Sequence, residues 1–234
     1  MQSQHDLVTC SACGNGRFSS RRTVVQGAFA VGAATGLGLA MVRGTTAQDT
    51  ETGRDIISVL NYALTLEHLE HAFYRDGLAS FTLEQFTGLG FQPSVVDYLA
   101  QIGTDEAAHV DTLTTVITNL GGAPVAEGQY DISGALADPA AFLQTAMALE
   151  NTGVAAYTGA AQYLIGNDDL LTAALTIHGV EARHAAYLNI LNEESPFPDA
   201  FDAPLSPAEV VKIAGQFIVS ADVATPLAAG TPVS

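Results

Sequence analysis

Cysteine is nearly absent from this chain. Of 234 residues only Cys10 and Cys13 are cysteine, and both sit in a Gly/Ser-rich leader. A single Cys-x-x-Cys is half of a zinc ribbon and has no second pair here. It reads as a pair lost when the leader is processed. The remaining body has no thiol and makes no disulfide, so packing must stabilise it. Positive charge is also scarce. Eight Lys and Arg stand against 25 Asp and Glu, for a formal charge of −17. Four of the eight, Arg17, Arg21, Arg22 and Arg43, lie at the front. Beyond residue 47 only Arg54, Arg75, Arg183 and Lys212 face 24 acids. Such a surface repels nucleic acid and anionic lipid, which excludes both as partners.

The front of the chain carries Ser20-Arg21-Arg22-Thr23-Val24-Val25, then a Gly/Ala-rich apolar run from Val24 to Val42, then the small residues Thr45-Thr46-Ala47. This resembles a twin-arginine export signal, although Val24 stands where that signal usually has a bulky aromatic. The resemblance implies that residues 1–47 are removed and that the protein is exported to the periplasm, cell envelope or extracellular space. It also implies folding and cofactor loading before export, with no membrane attachment after cleavage. The rival reading is a transmembrane anchor, since the run approaches spanning length. Residues 48–53 read as a polar linker.

Four apolar stripes at helical spacing follow. The first runs from about Arg54 to Arg75 through Ile57, Leu60, Leu64, Glu67, His71 and Tyr74. The second opens at Pro93 and ends at Gly121-Gly122, through Leu99, Ile102, Glu106, His109, Leu113, Val116 and Leu120. The third starts at Asp138-Pro139, an N-cap followed by proline at the first helical position. It continues to about Ile165 through Leu143, Met147, Glu150, Val154, Tyr157, Ala161 and Leu164. The fourth ends near Asn192 and carries Leu171, Ala174, His178, Glu181, His184, Leu188 and Leu191. The pattern predicts an all-α four-helix bundle over 54–192, free of sheet. The connection from Ala123 to Leu136 is long enough to cross over the bundle. In the tail, 193–234, a Pro-rich stretch is expected to lie over the bundle as extended chain. Ser206-Pro207-Ala208-Glu209 is a capping box for a short helix reaching about Val219, and 225–234 are expected to be loose.

The bundle is a repeat. Glu67 and Tyr74 match Glu150 and Tyr157, seven residues apart both times. Glu106-Ala-Ala-His109 matches Glu181-Ala-Arg-His184. On a helix, Glu and His three apart lie about 60° apart around the axis and about 4.5 Å apart along it, so both heads reach one point. All six polar residues sit on stripes otherwise filled by Leu, Ile, Val and Met. A buried, unpaired carboxylate costs several kcal/mol, and the body has too few basic residues to neutralise four. Two divalent cations would do so. Four carboxylates and two imidazoles form the donor set of dinuclear carboxylate centres in helical bundles, and they suit iron or manganese. Glu70 and His71, one turn beyond Glu67, read as rim positions or spare ligands. His178 reads equally as orienting a ligand or as a satisfied core histidine. Tyr74 and Tyr157 read as core packing, with a relay of electrons or protons as the alternative.

With these residues in place, 54–192 resemble the ferritin-like superfamily. The tail from Pro196-Phe197-Pro198 to Ser206-Pro207 resembles the branch of exported ferritin-like domain proteins that includes desiccation-related proteins. The resemblance implies two iron or manganese ions bound by Glu67, Glu106, His109, Glu150, Glu181 and His184. Glu67 and Glu150 would be terminal, the histidines split between the ions, and Glu106 and Glu181 bridging. Two functions fit. One is an oxidoreductase of catalase-like or ferroxidase-like type, reacting with peroxide or dioxygen in a pocket narrowed by Leu64, Leu113, Val154 and Leu188. The other is a non-catalytic protein that sequesters metal or protects the cell envelope under drying. The sequence carries no sign of a cage or other assembly, and the oligomeric state stays open.

Overall fold

The molecule is described from a computed structural model over residues 47–220, with side chains from residue 56 onward. The stretch expected to be an export signal and the last residues, 221–234, expected to be loose from 225 on, lie outside the described residues. The first helix, α1 (Ala47–Leu78), begins ahead of Arg54, so the expected polar linker forms its opening turns. A one-turn helix, α2 (Leu83–Gly88), leads to α3 (Ser94–Asn119), which follows Pro93. The second half holds α4 (Pro139–Ala160), a 3-10 turn (Ala161–Leu164) and α5 (Asp168–Leu191). A short α6 (Pro207–Ala214) is the last α-helix among the described residues and stops short of the expected Val219, giving way to a 3-10 turn (Gly215–Phe217). Among the described residues no helix is long and apolar enough to cross a membrane.

Local signals set the helix starts. Asp138 accepts a hydrogen bond from the Ala141 amide at 2.9 Å, with Pro139 just inside α4. Asn167 caps α5 through Leu170 N–H. Ser206 and Glu209 form the reciprocal capping box of α6. α1 packs along α3 and α4 along α5, two hairpins that meet across α1 and α4.

The interior has two apolar zones. One is aromatic, with Phe73 stacked on Phe142 at 4.8 Å between ring centres and Tyr74 edge-on to both. The other is built from Leu60, Leu64, Leu113, Ile117, Tyr157 and Ile177. The six stripe glutamates and histidines are buried in the same interior.

The expected absence of sheet over 54–192 has one exception. In the connection between the hairpins, β1 (Gln129–Tyr130) pairs antiparallel with β2 (Ile218–Ser220). Asp131 N–H also donates to Phe217 O at 2.8 Å. This connection would otherwise expose unpaired backbone, and the end of the tail supplies partners. Its start is held by Asn61, which donates to Ala123 O at 3.1 Å and accepts from Val125 N–H at 2.7 Å.

The Pro-rich tail touches the bundle at Leu205, whose N–H donates to Ala155 O at 3.1 Å. Gly159 admits it, since a Cβ there would stand 2.0 Å from Leu205 O. Phe197 and Phe201 point outward, 82% and 88% exposed.

Candidate metal centre

The helices bring all six stripe residues together. Glu67 comes from α1, Glu106 and His109 from α3, Glu150 from α4, and Glu181 and His184 from α5. The four glutamates are 0% exposed and the two histidines are buried. Among the described residues, the charged partners of these glutamates are His109 and His184 alone. Arg183 is exposed, as its place next to His184 on the helix requires.

The donor atoms fall into two compact groups, each within 4.8 Å. One is Glu67, Glu106, His109 and Glu181; the other is Glu106, Glu150, Glu181 and His184. Glu106 and Glu181 belong to both. His109 Nδ1 lies 3.0 Å from Glu67 Oε2, 3.0 Å from Glu106 Oε2 and 3.2 Å from Glu181 Oε1. One ring nitrogen carries at most one proton and cannot satisfy three carboxylates. His184 Nδ1 lies 2.9 Å from Glu106 Oε1 and 3.2 Å from Glu150 Oε2. Those three atoms have no hydrogen bond aligned between them, and both Glu181 oxygens lack one as well. Acceptors that crowd together without pairing are aimed at a common point, which is how ligands to a cation stand.

The protonation of the cluster tells the same story. Burial and the neighbouring Glu150 push the Glu106 carboxyl up to about 7, against the pull of both histidines. Burial and the charges of Glu106 and Glu150 raise Glu181 well above the usual range. Burial opposes charge on His184, but Glu106 and Glu150 outweigh it and push the imidazole up to about 11. His109 is raised further still by Glu106, Glu181 and Glu67, again against burial. Without metal, the cluster is held together by protons.

Residues 55–194 match the family model described as ferritin-like domain. The chain belongs to the ferritin-like domain family. A comparison with curated proteins found no match.

Five other polar residues singled out in the sequence take the following places in this ferritin-like domain. Tyr74 and Tyr157 do pack in the core, but their hydroxyls have work at the centre: Tyr74 donates to Glu150 Oε1 at 2.7 Å, and Tyr157 donates to Glu67 Oε1. Glu70 is no rim residue; it is 4% exposed, and burial together with Glu181, Glu150, Glu106 and Glu67 raises its carboxyl well above the usual range. His178 is partly exposed, 3.0 Å from Thr158 Oγ1 and away from the centre. His71 stays outside as a rim residue, near the Gly103 carbonyl.

Sequence reasoning passed over Asp105. Its Oδ2 lies 3.3 Å from His184 Nε2, the ring nitrogen turned away from the cluster. The stripe hid it, because it precedes Glu106 and points about 100° away on its own helix. Only the packing of α5 against α3 brings it to a histidine. An open recess between these helices reaches the cluster and is lined by Asp105, Ala108, His109, Val180, Arg183 and His184.

Proposed function

We propose that this ferritin-like domain holds two transition-metal ions, iron or manganese, in the centre and uses them to react with peroxide or dioxygen. The observation that carries the reading is the set of four fully buried carboxylates whose nearest positive partners are two imidazoles. Oxygen and imidazole donors without thiolate favour iron and manganese. The two compact groups support one ion on Glu67 and His109, the other on Glu150 and His184, with Glu106 and Glu181 shared. Bound in pairs, such ions supply one-electron changes to an oxygen–oxygen bond.

The chain's own residues do the rest. Tyr74 and Tyr157 fix the carboxylates of Glu150 and Glu67 by donating to one oxygen of each, leaving the other oxygen for the cluster. Asp105 holds the outer nitrogen of His184 and so fixes which nitrogen faces inward. Leu64, Leu113, Val154 and Leu188 are buried and keep bulk water from the sides. The recess between α3 and α5 admits a small polar molecule at the histidine end. The Arg21-Arg22 motif and the Gly/Ala run support work outside the cytoplasm, which mass spectrometry of the exported protein would test by where the mature chain begins.

The test is metal content, followed by stopped-flow spectroscopy of reduced protein loaded with iron or with manganese. Two equivalents of metal and a spectral change within seconds of adding peroxide or dioxygen are expected. Two equivalents and a spectrum that stays constant over minutes with both oxidants would favour passive metal sequestration. No bound metal would remove the reading altogether.

A further inference from the structure

The two halves of the bundle are alike at the six donor positions and unlike one turn further on. Glu70 follows Glu67 by three residues, and the residue that follows Glu150 by three is Gly153. The difference is spatial as well as sequential. A Cβ on Gly153 would stand 3.2 Å from Glu70 Oε1 and 2.7 Å from Glu181 Oε2. The carboxylates of Glu181 and Glu70 therefore both lie over the bare backbone of α4, in the room a side chain on Gly153 would take.

Glu70 is buried, and among the described residues it makes no hydrogen bond and no ion pair. The titratable groups that face it are Glu67 on its own helix, Glu106 from α3, Glu150 from α4 and Glu181 from α5, all carboxylates. A fifth buried acid among four others, without a cation or donor, is a costly arrangement for a structural residue. A ligand that arrives with positive charge accounts for it. Glu70 stands outside both compact groups as they are; its carboxylate lies beside that of Glu181, which both groups share.

We infer that Glu70 is a seventh metal donor, joining one of the two ions beside Glu181, and that Gly153 is kept without a side chain to leave room for both carboxylates. The two ion positions are then unlike, one with five side chains around it and the other with four. This rests on the dinuclear reading given above.

The full chain, stripped of metal, is titrated with cobalt(II), whose visible absorption reports both stoichiometry and the number of ligands. The unaltered protein is expected to take two equivalents in two separable steps with different spectra. In Glu70→Gln the tighter step weakens by about tenfold or more, as for loss of a supporting ligand, and the two steps merge. Glu70→Asp, which keeps the charge but falls short by one methylene, shows the same loss. Gly153→Ala takes the room shared by Glu70 and Glu181; it weakens the tighter step in the unaltered protein, and added to Glu70→Gln it weakens that step no further. Titrations of all three variants that overlay on the unaltered protein would overturn the role of Glu70 and leave the dinuclear centre standing. An unaltered protein that takes no cobalt, or a single equivalent, would overturn the dinuclear reading and this inference together.

Discussion

Tyr74 on α1 donates its hydroxyl hydrogen to Glu150 on α4, and the relationship is returned by Tyr157 on α4 to Glu67 on α1. Each hairpin thus holds a carboxylate of the other. Both phenols are buried, and burial with the neighbouring carboxylates raises them well above their ordinary range, so they stay neutral donors. Removing one hydroxyl frees one oxygen of a glutamate at the centre. For Tyr74→Phe we expect metal affinity to fall by about tenfold, the usual loss for an outer partner of a ligand. Manganese titration of the variant checks this, and an unchanged affinity would reduce Tyr74 to packing.

Asp105→Asn should weaken one ion and spare the other. Asp105 touches the outer nitrogen of His184, while the corresponding residue of the repeat, Val180, offers His109 no such partner. A loss of about 10- to 100-fold is expected in one of two binding steps. Equal weakening of both steps would speak for a general electrostatic effect of the recess.

Metal-free protein should lose stability as pH rises. Glu106, Glu181, Glu70, His109 and His184 all bind protons more tightly folded than unfolded. Their stabilisation is complete below the unfolded values. It is lost as pH rises through about 7 for Glu106 and about 11 for His184. Glu67 runs the other way: burial raises its carboxyl, His109 outweighs burial, and the lowered value makes its contribution fail on acidification. The raised groups outnumber it, so the thermal midpoint of metal-free protein should be lower at about pH 9 than at about pH 5. Metal replaces those protons, so loading should release protons and flatten the profile. Melting curves of both forms across this range are the measurement, and parallel profiles would contradict the substitution of protons by metal.

The helices and the clustering of the six stripe residues were legible in sequence because each lies on a stripe with a fixed period, and because the repeat separates Glu67 from Glu70. What escaped was set by contacts between helices. The burial of Glu70 depends on the missing side chain of Gly153 on another helix, and no stripe on α1 encodes that. Asp105 escaped because it sits off the stripe beside Glu106. The β1–β2 ladder escaped because backbone hydrogen bonds over a few residues leave almost no mark on side-chain pattern.

The tail should be sensitive at Gly159. A methyl group there meets Leu205 O at 2.0 Å, and the contact is with backbone, which cannot swing aside. Gly159→Ala should cost about 2–3 kcal/mol and release the Pro-rich segment. Denaturant unfolding gives the first quantity and limited proteolysis near Pro204 the second. Unchanged stability together with a protected tail would show that Leu205 is not an anchor.

The ladder between Gln129–Tyr130 and Ile218–Ser220 also bears on how the protein is made. A ribosome delivers the connection between the hairpins long before its strand partner. Until residue 220 has emerged, that connection is held at its start by Asn61 but lacks its ladder. Glu181 and His184 likewise arrive after the other four donors. The nascent chain can assemble its first hairpin early, but both the six-residue cluster and the clasp across the connection wait for the carboxyl-terminal part, so their completion is a late event in synthesis.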